Sequence, residues 1–222
     1  MGQKLFRFLR GGIKCFTPPM ETVWEVPFQN NPAVFCPNHS GALGPFYIMS
    51  HFPMRDQLAP WINADMMNPE TVPAYVRQDY WWKPDSALAP FYNATLPNIA
   101  KVFIPPILNS VPNAIGVYHN MHITKTFRES LVALNENKHL VIFAEQPSGY
   151  LSHCTKLNDG FLLIAPMAYK RYGICLDFYP VLIDTKTHKI KVSAPIRFNP
   201  DLPLKEQKEA IITCIANGIR RS

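Results

Sequence analysis

The chain has 222 residues, 47% hydrophobic and 17% charged, with a formal net charge of +6. That length suits one large domain or a domain with a cap, and the apolar content excludes a disordered chain. An isoelectric point near 9.1 admits anionic lipid as a partner. Nucleic acid is not expected, because no Lys/Arg-rich block interleaves with aromatics and no DNA- or RNA-binding motif is legible. Cys15, Cys36, Cys154, Cys175 and Cys214 are odd in number and far apart. Such spacing fits reduced thiols rather than a disulfide framework or a zinc site.

From the amino terminus, Lys4 to Phe16 read as a basic amphipathic helix. At about 100° per residue, Leu5, Leu9, Ile13 and Phe16 share one face with Phe6 at its edge, and Lys4, Arg7, Arg10 and Lys14 gather opposite. Gly11-Gly12 weakens it. Two readings stay open for residues 1–16: a helix docked on its own domain, or an interfacial anchor for anionic lipid. Arg7 and Arg10 leave no apolar core for a secretory signal, so a cytoplasmic location is expected, peripheral on the membrane if the second reading holds. Val26 to Met54 and Val102 to Thr124 carry no charged residue. Prolines interrupt both, which argues against a spanning helix, although the second can lie against a bilayer.

Residues 17–222 alternate between strand and helix. Thr22–Val26 and Ala33–Cys36 read as short strands, Leu43–His51 as a helix and Leu58–Asn63 as a strand. Asp65–Ser110, rich in Pro, Asn and aromatics, is expected to form helices and loops that cap the sheet. Beyond it lie a strand at Ile115–Tyr118, a helix at Thr124–Leu134 and a buried strand at Leu140–Ala144. A helix over Leu157–Tyr172, a strand over Cys175–Ile183, a closing strand at Lys189–Ser193 and a final helix over Leu204–Ile219 complete the pattern. It predicts an α/β domain with a largely parallel central sheet covered by helices on both faces.

Sites in such folds form at the carboxyl ends of strands. Two strings fall there. In Cys36-Pro37-Asn38-His39-Ser40-Gly41, a strand leads through a turn, and its histidine can serve as a general base or merely as a capping residue. In Val141-Ile142-Phe143-Ala144-Glu145-Gln146-Pro147-Ser148, a buried strand ends in a carboxylate that can orient a base or cap the next turn.

Taken in order, Asn38-His39, Gly116-Val117-Tyr118-His119-Asn120, Phe143-Ala144-Glu145 and Tyr179-Pro180-Val181-Leu182-Ile183 resemble the four motif blocks of the glycerolipid acyltransferases. The resemblance spans roughly Ala33 to Ile183. It implies transfer of a fatty acyl group from acyl-CoA or acyl-carrier protein to a glycerolipid or other hydroxyl, with the acyl thioester as co-substrate and no bound cofactor. It further implies His39 and Glu145 as catalytic residues, with Asn38, Ser40, Gly116, His119, Gln146 and Ser148 contacting a lipid acceptor at the membrane surface.

Departures from the pattern fall on the polar residues. Gly44 stands where the family has the Asp that orients the base, and His119 or Asn120 where it has an Arg. Gln146, Pro147 and Ser148 replace its Gly-Thr-Arg, so an acceptor without the usual phosphate is expected unless Lys125, Arg128 or Lys156 supplies the charge. A non-catalytic lipid- or partner-binding member of the same fold is the alternative. His39, His119, His122, Glu145 and His153 also follow strands or start helices, but without the spacing of a metal motif, and no metal is expected.

Overall fold

A computed structural model describes residues 2–40, 44–78, 86–119, 121–145 and 157–220. An amino-terminal helix, α1 (Gly2–Phe16), precedes strands β1 (Glu21–Trp24) and β2 (Ala33–Pro37) and helix α2 (Gly44–His51). Strand β3 (Leu58–Asn63) leads into α3 (Ala64–Met67), α4 (Val72–Gln78) and the long α5 (Ala89–Asn109), and then β4 (Ile115–Val117). Next come α6 (Ile123–Asn135), β5 (His139–Val141), α7 (Ile164–Tyr172), β6 (Asp177–Asp184), β7 (Lys189–Val192), β8 (Ile196–Arg197) and α8 (Leu204–Gly218).

The strands form one sheet in the order β1-β7-β6-β2-β5-β3-β4, with β8 added beside β6. Only β7 and β8 run antiparallel to β6; the other pairings are parallel. The sheet is therefore largely parallel, as the alternating pattern predicts.

Period-two alternation divides the core between its two faces. Val34 and Cys36 of β2 and Leu140 of β5 pack with Leu134, Ala165, Ile211 and Ile215 under α6, α7 and α8. Ala33, Phe35, Val141 and Tyr179 point the other way, onto Tyr47 and Ile48 of α2. At the amino ends of the strands, buried Asp177 accepts two hydrogen bonds from Arg197, Nε and one terminal nitrogen each at 2.8 Å, tying β8 to β6. This forked, charge-assisted pair compensates a carboxylate that burial alone would disfavour.

Several boundaries differ from the sequence reading. Lys189–Val192 does not close the sheet, because β1 pairs beyond it in parallel as the outermost strand. The helix expected from Leu157 begins later: Leu157 bridges to Glu145, a 3-10 turn spans Gly160–Leu163, and α7 follows. The strand expected over Leu140–Ala144 ends at Val141, although Ile142 N–H still donates to the Phe35 carbonyl at 2.9 Å. The two-residue β8 carries too little pattern to be seen in advance.

Prolines interrupt the helical region less than expected. α5 runs for 21 residues through Pro97, Pro105 and Pro106. Each proline removes one helix hydrogen bond, yet packing on α3, α4 and α1 holds the helix together. No helix among the described residues is long and apolar enough to cross a membrane. Of the α1 side chains described, Phe6 packs on the α2 side of the sheet, while Leu5 and Phe8 remain exposed.

Candidate active site

Strand β2 has β5 on one side and β6 on the other. From β2 the chain crosses over to β3 beyond β5, whereas from β5 it crosses back to β6 beyond β2, and sites in such sheets form at the carboxyl ends of the strands. His39 and Glu145 lie there, two residues beyond Pro37 and four beyond Val141. The Glu145 carboxylate accepts a hydrogen bond from the backbone N–H of His39. Burial raises the Glu145 pKa, and that hydrogen bond opposes the rise. The imidazole of His39 stacks on Phe143, ring centroids 4.7 Å apart, and the residue is exposed.

Asn38 serves the scaffold. Its side-chain oxygen accepts from Ile183 N–H at 2.6 Å, and its own N–H donates to Val181 O at 3.1 Å. Both bonds pin the end of β2 to β6, so the Asn-His string and the apolar fourth block meet physically. A buried side-chain amide used in this way fixes the direction in which the chain leaves β2 and presents His39.

Position 44 adjoins the same turn. A Cβ added to Gly44 would stand 3.6 Å from the Asn38 carbonyl oxygen, 3.7 Å from the Phe143 ring and 3.8 Å from the His39 carbonyl carbon. These are ordinary van der Waals distances, so a Cβ has room there beside the Asn38-His39 turn. Gly44 is buried at the start of α2.

The other expected site residues are spread along the sheet. Gly116 and His119 belong to β4 and the turn after it, with β3 between that strand and β5. His119 is exposed, and Ser40 is half-buried beside His39. Gln146, Pro147, Ser148, His153 and Lys156 lie outside the described residues, as do Asn120 and Gly41 to Leu43. Asn158 N–H donates to Ala144 O at 2.7 Å and Leu157 bridges to Glu145, so the start of the following segment is held beside the end of the β5 run. Of the five residues weighed as metal ligands, the structure unites His39 with Glu145. Among the described residues no group of three or more His, Cys, Asp or Glu is placed to hold a metal ion.

A second concavity of about 520 Å³ runs along the outer edge of β4 between α3 and α6, lined in part by Asp65, Tyr118, His122, Lys125 and Glu129. Sequence reasoning missed it because its residues come from three separate segments with no shared motif. Phe143 was also missed as a partner of His39, since an aromatic within a buried strand reads as core.

Comparison of the chain with models of known families, with curated proteins and with solved structures finds no significant match.

Proposed function

We propose that this chain is an acyltransferase of the glycerolipid type, moving a fatty acyl group from acyl-CoA or acyl-carrier protein to a hydroxyl acceptor at a membrane surface. The supporting observation is the meeting of His39, Glu145 and position 44 at the adjoining carboxyl ends of β2 and β5. An acyl-transfer base, a half-buried acid and an orienting group would be needed at such positions. The His39 imidazole takes the proton of the acceptor hydroxyl, whose oxygen attacks the thioester carbonyl carbon. A C–O bond forms, the C–S bond breaks, and the proton passes to the departing thiolate. Glu145 acts through the backbone of His39 as a positioning residue.

Gly44 favours a second reading. It offers no carboxylate to His39, as a protein that keeps the fold to bind lipid or a partner without turnover would not need one.

Thioester-dependent transfer, followed by release of the free thiol, separates the two. A Cβ at position 44 meets no close contact among the described residues, and Gly44→Asp should raise the rate about tenfold or more, against a ceiling of roughly 10⁴ for the orienting carboxylate of serine proteases. His39→Ala should abolish transfer in either background. A natural protein that is active and slowed by Gly44→Asp would mean that another group orients His39. Absence of turnover in both, with ligand binding indifferent to His39→Ala, would establish the binding reading instead.

A further inference from the structure

The helix α5 inserted between β3 and β4 leaves one face without a partner among the described residues. Leu88 at its cap and Phe91, Ile99, Val102 and Phe103 within it are exposed by 55, 62, 53, 62 and 61%. At 100° per residue these five fall within an arc of about 120°, a stripe that runs about 20 Å or more along the helix. No charged residue shares the arc. The single charged residue of α5, Lys101, lies on the opposite side and pairs with Glu70 at 3.5 Å. Exposed apolar surface this continuous is uncommon unless something covers it.

The neighbouring helix identifies what covers it. α1 packs against α5 and presents Phe8, 79% exposed, together with exposed Lys4 and Arg7. Neither helix contains an acidic residue. A second copy brought face to face would oppose cation to cation, whereas a bilayer of anionic lipid satisfies both the apolar stripe and the basic rim. Pro105 and Pro106 leave the carbonyls of Lys101 and Val102 without helix donors, which suits the hydrated interface rather than the hydrocarbon interior.

We infer that α5 and α1 together form a docking face for anionic lipid bilayers, with α5 supplying the apolar insertion and α1 the charge. The inference rests on the membrane-surface part of the proposed function but not on catalysis.

Co-sedimentation of the full chain with phosphatidylcholine vesicles, with and without phosphatidylglycerol, tests it. The natural protein should bind the anionic vesicles more strongly and lose much of that binding at high salt. Phe91→Ser combined with Phe103→Ser should weaken binding by about tenfold or more, from the loss of two large insertions. Removing residues 1–16 should abolish the preference for anionic lipid. Leu163→Ser with Met167→Ser, exposed apolar residues of the opposite sheet face, should leave binding unchanged. All these side chains are exposed, and an unaltered melting temperature verifies that the variants fold. His39→Ala should bind vesicles like the natural protein whether or not acyl transfer is detected, which keeps the two claims separable. Equal sedimentation of the Phe91/Phe103 variant and the natural protein would overturn the inference. So would a dimer in gel filtration that the variant dissociates while vesicle binding persists, since the stripe would then belong to a second copy.

Discussion

His139 opens β5 at the end of the sheet opposite the candidate site, with its ring against Phe28 at 5.3 Å and Phe35 at 5.8 Å. It is buried, and neither ring nitrogen has a hydrogen-bond partner among the described residues. Burial among apolar rings disfavours the imidazolium and lowers the pKa from 6.5 to about 4. The unfolded chain therefore binds the proton more readily between those values, and stability falls as pH drops through that window. At about 1.4 kcal/mol per unit, the loss by pH 4 is on the order of 3 kcal/mol. His139→Phe should remove this dependence and leave stability near neutral pH unchanged or slightly higher, since it deletes an unpaired polar group. Urea midpoints of the two proteins at pH 7 and pH 4.5 are the check; parallel acid destabilisation of both would contradict the assignment. Glu145 has the opposite sign: its raised pKa gives a contribution present at low pH and lost as pH rises through the folded value.

At the scale of elements, two kinds of glycine behave differently. α8 crosses β6 so closely at Gly218 that an added Cβ would lie 2.4 Å from Pro180 Cβ and 3.2 Å from Ser193 Oγ. Gly218→Ala should therefore destabilise by about 1–3 kcal/mol through overpacking, despite the better helix propensity of alanine. Gly11 and Gly12 of α1 have nothing within 4 Å of such a Cβ. Alanine there should stabilise α1 by about 0.5–1 kcal/mol per site. Thermal melts of the Gly218→Ala variant, and hydrogen exchange across α1 for the paired Gly11/Gly12 variant, should move in opposite directions. A neutral Gly218→Ala would mean that α8 can move away from β6 without cost.

At the scale of the whole molecule, the net charge of +6 does not translate into a phosphate cradle among the described residues. Lys125 lines the concavity beside β4, but its ammonium donates to the Tyr118 hydroxyl at 3.2 Å and lies 3.8 Å from Glu129, with Asp65 in the same wall. Two carboxylates thus face one ammonium, and the field there repels a dianion. Arg128 lines a different hollow, with Glu136 and Lys138. Lysophosphatidate should consequently bind no more tightly than the corresponding monoacylglycerol. Titration calorimetry showing saturable binding of the phosphorylated lipid alone would restore the phosphate-bearing acceptor to first place.

Helix and strand periodicity made the alternating architecture legible, because buried faces impose their spacing on any chain that folds this way. It placed β2, β3, β4, β5, β6, α6 and α8 to within a few residues. The carboxyl-end rule brought attention to His39 and Glu145, since both follow apolar runs. Sequence spacing could not show that β2 lies between β5 and β6, for strand order is set by which long-range pairing buries the most apolar surface. Nor could it separate the amide of Asn38, committed to Ile183, from a ligand-binding one, or turn Phe6 of α1 inward and Phe8 outward. The α5 stripe was likewise hidden: its prolines read locally as breaks, and only packing against α1, α3 and α4 sustains the helix and fixes the face it leaves exposed.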